Sequence, residues 1–487
     1  MREPARIIPP DLIARLWQKD DSLWPAGEDV PSKRLGWLTL PIDMRAHIGE
    51  LERFRDEVLS EGFETVALLG MGGSSLAPEL FASLLAVPGH PELLVFDSIH
   101  PDQVRSQTDQ LDLEKTLFCV ASKSGTTAET DALYRHFFDR VPRGPQFAAI
   151  TDPGTPLAGL AEERGFRATF YNPPDVGGRF SALSLFGLVP AAMVGADPEG
   201  LLESAAEEAA RSKSPQAPAA RLGLTLARAV AEGRDKLTLT TSPSLAPFAD
   251  WAEQLLAEST GKHGTGIVPI VGEPPLSRYG IDREFVSITL AGDEPPPKTP
   301  IQRELTGAYD LGAELFFWEL ATAVAGVGLG INPFDQPDVE AAKRAARSAL
   351  ASRSSSKWEE MDPEILFHDL EPPAYGAILA FAPRDASNRQ VLQRARLKIA
   401  SERGAACVAA FGPRYLHSAG QLYKGGPRSL RAMVVLAEPE ADMPIPGLEH
   451  TFGRLVAAQA LGDVVAMREA GQRVATTTWG RLADWVG

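Results

Sequence analysis

Between Thr65 and Thr151, short, largely apolar runs alternate with longer, helix-like stretches. The runs are TVALLG (65–70), ELLVFD (92–97), TLFCVAS (116–122) and QFAAIT (146–151). A continuous apolar strand is one buried on both faces, and strand–helix alternation lays neighbouring strands parallel. The pattern predicts a doubly wound, three-layer α/β/α domain over residues 61–195, with ligands at the carboxyl ends of its strands. A second block, 196–351, repeats the theme. Two helical stretches precede KLTLTTS (236–242), a helix runs to about Thr260, and GIVPI (266–270) and FVSITL (285–290) follow. GDEPPPKTP (292–300) reads as a loop, and helices near 310–329 and 337–350 close the block.

Residues 1–60 read as a helical N-terminal segment, with one stretch around Met44 to Glu61. SRSSSKWEEMDPE (352–364), Ser-rich and then acidic, has the composition of a linker. Beyond it, residues 364–487 form a C-terminal α/β block with YGAILAFAP (375–383), CVAAFG (407–412) and AMVVLAEP (432–439).

Composition narrows the classes. The 487 residues are 44% hydrophobic and carry a formal net charge of -16. Such a field argues against nucleic acid and anionic membranes as partners, and it repels an anionic substrate at long range. Any phosphate site must therefore be built from local N–H groups and a few placed cations. Leu315–Ile331 comes nearest to a membrane span, but it contains Glu319 and reads as a buried helix. The N-terminus, MREPARIIPPDLIARLW, has no apolar signal core. Cys119 and Cys407 lie far apart in apolar surroundings, as buried thiols do, which suits a reducing, cytoplasmic setting. Neither has metal-ligand spacing, and no metal or organic cofactor is expected.

Four segments can carry chemistry. GMGGSS (70–75) sits between a strand and a helix, where small residues let backbone N–H groups approach an oxyanion. Ser122-Lys123-Ser124-Gly125-Thr126-Thr127 ends the TLFCV strand just before a helix. Four hydroxyls converging there suit a phosphate monoester. In Val176-Gly177-Gly178-Arg179-Phe180-Ser181, the glycines leave room for a ligand and Arg179 supplies a permanent cation. In WAEQLLAESTGK (251–262), Trp251, Gln254, Leu255 and Glu258 share one helix face. A carboxylate on an apolar face is a candidate general base.

Together and in this order, these segments resemble the phosphoglucose isomerase family, built on sugar-isomerase (SIS) domains. INPFDQPDVEAAK (331–343) adds the family's Phe-Asp-Gln…Val-Glu…Lys signature. The resemblance implies two SIS domains, an aldose–ketose isomerase of glucose 6-phosphate and fructose 6-phosphate, and a reaction through an enediolate. It places Ser74, Ser122, Ser124 and Thr127 on the substrate phosphate, with Lys123 contributing backbone. Gly73, Gly178 and Gln254 fall on the substrate side, Arg179 beside the reacting carbons, Glu258 as the base, and Lys343 as the ring-opening lysine. One departure stands out. The family's ring-opening histidine falls in a segment comparable to YGIDREFVSITL, where Arg283 takes its place, and an arginine is a poor proton shuttle. His263 and His417 are the candidate substitutes.

The C-terminal block is similar to the tail of the isomerase half of bifunctional transaldolase/phosphoglucose isomerases, notably in HSAGQLYKGG (417–426). That resemblance implies an isomerase module alone, with a functional link to a separate transaldolase as a further expectation. A homodimer is the family's common form. Two alternatives stay open: dual phosphoglucose/phosphomannose isomerase activity, and a non-catalytic sugar-phosphate-binding SIS protein.

Overall fold

The computed structural model describes residues 8–351 and 359–487, without the side chains of 339–341. The Ser-rich half of the expected linker, 352–358, lies outside the described residues, as do residues 1–7.

Among the described residues, thirteen strands form three sheets, all parallel. The first contains β1 (Thr65–Gly70), β2 (Glu92–Phe96), β3 (Thr116–Ala121), β4 (Phe147–Thr151) and β5 (Ala168–Tyr171), in the order β2-β1-β3-β4-β5. The second contains β6 (Lys236–Thr241), β7 (Val268–Val271), β8 (Arg283–Leu290) and β9 (Ile301–Leu305), ordered β7-β6-β8-β9. The third, ordered β11-β10-β12-β13, is made of β10 (Tyr375–Phe381), β11 (Cys407–Gly412), β12 (Leu430–Leu436) and β13 (Arg473–Thr478). The fold is α/β, as the alternation predicts, and all three sheets share one strand order. In each the order reverses beside the first strand, where the connections leave to opposite faces and a crevice opens at the carboxyl end. In the first sheet that crevice lies between the turns that follow β1 and β3, where GMGGSS and SKSGTT are.

The period of two along the first sheet separates two cores. Val66, Leu68, Leu117, Cys119 and Ile150 face a core shared with Leu51, Phe54 and Val58 of the helix Ile48–Ser60. Ala67, Leu69, Phe118, Val120 and Phe147 face the other way. There they meet Phe137 of the helix Ala128–Arg140 together with Leu379, Tyr415, Leu422 and Phe452 of the C-terminal block. The C-terminal block is thus bound into the first domain by a common core, which brings residues after 410 to the first sheet's crevice.

The helix Leu311–Leu329 is apolar enough to cross a membrane by composition, but it lies inside this fold, buried along nearly its whole length. Glu314 on it binds Arg303, whereas neither carboxyl oxygen of the fully buried Glu319 has a hydrogen-bond partner among the described residues. Burial pushes the Glu319 carboxyl well above its ordinary value of 4.5, favouring its neutral form. An acid whose folded pKa is raised loses stability as pH climbs above the unfolded value. Glu319→Gln is therefore expected to match the wild type in stability near pH 4.5 and to exceed it as pH rises above that value. The gap should widen by up to about 1.4 kcal/mol per pH unit. Equal Tm values for the two proteins at pH 8 would contradict this.

Candidate active site

Ser122 directly follows β3, and its Oγ lies 2.9 Å from Thr127 Oγ1 and accepts the Gly125 N–H at 3.1 Å. Ser124 Oγ lies 2.9 Å from Thr126 Oγ1. Thr127 precedes the helix Ala128–Arg140, but its side chain caps none of that helix's N–H groups. Hydroxyls and uncapped N–H groups thus converge at a positive helix end, which suits an anion. The Lys123 ammonium turns aside to Asp152 and to the Pro174 carbonyl, so only its backbone belongs to the loop.

On the other side of the crevice, the chain leaves β1 through a single 3-10 turn, Gly72–Ser74, in which Ser74 is buried. Gly72 has φ +56°, a left-handed conformation that glycine adopts without strain. A Cβ there would also collide with the His417 carbonyl oxygen. Gly73 packs against the Gly178 backbone, so the two glycines assigned to the substrate side touch each other and hold two loops together.

Gly178 leads into the turn Gly178–Phe180, which buries Arg179. The guanidinium donates to the carbonyls of Pro333 (Nη2, 2.6 Å) and Asp335 (Nη2, 3.2 Å) and pairs with Glu258 Oε1 at 3.5 Å. Glu258 is in the last turn of the helix Ala246–Thr260, only 8% exposed, and its Oε2 accepts from Gln254 Nε2 at 3.1 Å. Gln254 Nε2 donates also to the His417 carbonyl, at 2.8 Å, while its buried Oε1 has no partner among the described residues. Lys262, with no exposed surface, donates to the Asn332 carbonyl at 2.6 Å and pairs with Asp335 at 3.2 Å. Burial, and then the neighbouring Arg179, push its pKa down to about 7.

The structure brings His417 to this group from the C-terminal block. Its Nε2 meets Glu129 Oε1 at 2.7 Å, and Gln459 Nε2 donates to the same oxygen at 2.6 Å. Burial alone would lower the His417 pKa, but the Glu129 carboxylate outweighs it and holds the imidazole above its ordinary value. Burial likewise pushes Glu129 up, yet the charge of His417 keeps it below the usual carboxylate range. Lys343, exposed on the helix Val339–Ala351, is near enough to act on His417 electrostatically.

Two expectations are corrected. His263 does not join the group: the Glu258 helix ends at Thr260, and His263 stands exposed, at φ +54°, in the turn joining Lys262 to Thr265. Arg283 does not face the group either. It pairs with Glu273 at 2.9 Å and donates to Thr238 at 2.8 Å, with both charged side chains 1% exposed. It is a buried structural ion pair. Glu129 and Lys262 are residues that the sequence reading passed over. A carboxylate sharing a helix face with Ala132, Leu133 and His136, all buried, is the signal that marks Glu129.

Hydroxyls and uncapped N–H groups at a parallel-sheet crevice, with a buried carboxylate–arginine pair and an imidazole whose charged form a carboxylate favours, mark an acid–base enzyme of the α/β class. The model of the family described as phosphoglucose isomerase matches residues 59–265. A glucose-6-phosphate isomerase from Carboxydothermus hydrogenoformans is 30% identical over 421 residues, covering 69% of this chain and 89% of its own length. A hypothetical protein from Thermus thermophilus superposes with TM-score 0.59 at 27% identity, covering 70% of this chain and 94% of that one. A glucose-6-phosphate isomerase from Chlamydia trachomatis, at 20% identity and TM-score 0.53 over 69% of this chain and 77% of its own, shares the fold. The chain belongs to the phosphoglucose isomerase family and is an aldose–ketose isomerase. Lys343 and His417 lie beyond the stretch that the family model matches, so their place in the site rests on the fold.

Proposed function

We propose that this enzyme interconverts glucose 6-phosphate and fructose 6-phosphate through an enediolate, with Glu258 as the base. The observation that carries the reading is the placement of Glu258, held between Arg179 and Gln254, with His417 bonded to Glu129 beside it. The phosphate docks on Ser74, Ser122, Ser124 and Thr127 and on the N–H groups at the start of the helix Ala128–Arg140. Gln254 Oε1 is left to accept from a sugar hydroxyl. His417, protonated, delivers a proton to the ring oxygen, the anomeric hydroxyl gives its proton to water, and the Lys343 ammonium stabilises the charge that forms on that oxygen. In the open aldose Glu258 removes the C2 proton, and the electron pair moves to O1. Arg179 stabilises the charge that develops. A proton passes from O2 to O1, Glu258 returns its proton to C1, and O2 becomes the ketone. His417 and Glu258 lie on one chain, so this arrangement asks nothing of a partner subunit.

The direct test is a coupled assay of purified protein running fructose 6-phosphate to glucose 6-phosphate, with mannose 6-phosphate in parallel. Turnover of the glucose pair is the expected result, and comparable turnover of mannose 6-phosphate would widen the substrate range. Tight binding without turnover would leave a binding protein and overturn the reading.

The role of Glu129 can be read from pH. Because Glu129 raises the His417 pKa, the acid form persists to higher pH than an ordinary histidine allows. Removing that charge with Glu129→Gln lets the proton leave earlier, so the alkaline limb of kcat should move to lower pH. An unmoved limb would show that His417 is not the acid.

A further inference from the structure

Gln421 is 1% exposed in the short helix Gly420–Gly425, four residues past His417. All the hydrogen-bonding capacity of its amide nitrogen is used. Nε2 donates to the Gly261 carbonyl at 2.9 Å and to Asp338 Oδ2 at 2.6 Å. Oε1 in turn accepts the Asp338 N–H at 3.1 Å. The three segments that meet on this one side chain are not alike in sequence or origin. Gly261 follows the helix that carries Glu258, Asp338 directly precedes the helix that carries Lys343, and Gln421 belongs to the segment that carries His417.

Gly425 makes the junction tight. A Cβ on it would collide with Asp338 Oδ2 and come within 2.7 Å of both Gln421 Nε2 and the Gly261 carbonyl oxygen. Its own carbonyl accepts the Gly264 N–H at 2.8 Å. The segments differ in how else they are held. The end of the Glu258 helix has further anchors, in Lys262 bonded to Asn332 and Asp335 and in Thr260 bonded to Leu256 and Ile267. At Asp338 the side chain and the N–H both go to Gln421.

We propose that Gln421 is a positioning residue for ring opening: it sets the start of the Lys343 helix and the His417 segment at fixed distances from Glu258. It touches no substrate and acts only through these segments. The inference rests on the isomerase reading above and deepens it by assigning the C-terminal block a part in the ring-opening step. Losing the junction shifts the start of the Lys343 helix and the His417 segment, and with it the Gln254 bond to the His417 carbonyl, whereas the phosphate cradle and the Glu258 contacts with Arg179 and Gln254 keep their own partners. Misplacement of about 1 Å is enough to cost up to about 100-fold in rate.

The test compares Gln421→Leu, similar in volume but without the hydrogen bonds, with Gln421→Glu and with the double variant Gln421→Glu/Asp338→Asn. Exchange between the anomers of glucose 6-phosphate, followed by NMR, reads ring opening apart from proton transfer at carbon. Gln421→Leu should slow anomer exchange and kcat by about 10- to 100-fold with KM changed less than about 3-fold. Gln421→Glu, which sets a carboxylate against Asp338 and the Gly261 carbonyl, should be worse. Asp338→Asn added to it restores a donor and should recover part of the loss. Gln421→Leu that is folded and exchanges anomers at the wild-type rate overturns the proposal, as does a double variant no better than Gln421→Glu. Amide hydrogen exchange over 339–351 reads the anchoring without reference to any reaction. Faster exchange there in Gln421→Leu is required, and unchanged protection overturns the proposal. A wild type that neither exchanges anomers nor isomerises, but shows that loss of protection, would instead sink the reaction assigned above.

Discussion

Glu258→Gln lowers kcat by about two to four orders of magnitude, the usual scale of a lost general base, and leaves KM within a few-fold. The replacement keeps the shape of the side chain. An amide oxygen can still accept from Gln254 Nε2, which the carboxylate does at 3.1 Å. Arg179 loses an ion partner at 3.5 Å but retains its bonds to the Pro333 and Asp335 carbonyls, so the buried guanidinium stays in place. What goes is the ability to take a proton from carbon. Steady-state kinetics, together with deuterium uptake at C2 from heavy water, check this. Both should fall together, while anomer exchange, which needs no proton at carbon, should persist. A variant with near-normal kcat would remove Glu258 from the role of base.

Arg179→Lys is the second large effect, with kcat/KM expected to fall by about 100- to 1000-fold, the scale measured when one preorganised donor to a developing oxyanion is lost. The charge survives the change but the geometry does not. A planar guanidinium meets two carbonyls and a carboxylate at once, and an ammonium on a shorter stem cannot span them. The Pro333 carbonyl then loses both of its donors, Nε at 3.2 Å and Nη2 at 2.6 Å. Part of the loss is therefore expected in Tm as well, by an amount consistent with about 1–3 kcal/mol for an unsatisfied buried acceptor. Kinetics and thermal unfolding on the same preparation separate the two. A lysine variant at wild-type kcat would place stabilisation of the developing charge elsewhere.

Local order is what the sequence carried well. The central strands of the first sheet are apolar at nearly every position, and the turns after β1 and β3 announce themselves by glycines and hydroxyls. Edge strands were harder. β5 is four residues long, β9 reads IQREL with exposed Gln302 and Glu304 alternating with half-buried Ile301 and Arg303, and β13 is RVATTT, richer in hydroxyls than in apolar bulk. Each has a neighbouring strand on one side only, so each tolerates a polar sequence. The site divides in the same way. Trp251, Gln254 and Glu258 follow from helical spacing alone, but the contact of His417 with Glu129 joins residues 288 positions apart, and no local pattern encodes it. His263 illustrates the converse error, in which closeness along the chain stands in for closeness in space, and Arg283 one in which a matched position in a family segment does. A helix end at Thr260 turns one to solvent, and Glu273 claims the other.

The core shared by the first sheet and the C-terminal block has a consequence for the birth of the protein on the ribosome. Phe118, Val120 and Phe147 need Leu379, Tyr415, Leu422 and Phe452 to complete their cover, and those partners are translated more than 200 residues later. For all that time the nascent first domain shows an incompletely covered apolar face, the kind of surface that draws chaperones and, without them, aggregation. Premature termination before residue 375 would leave that face permanently short of its cover, so truncated chains should be recovered mainly as insoluble material.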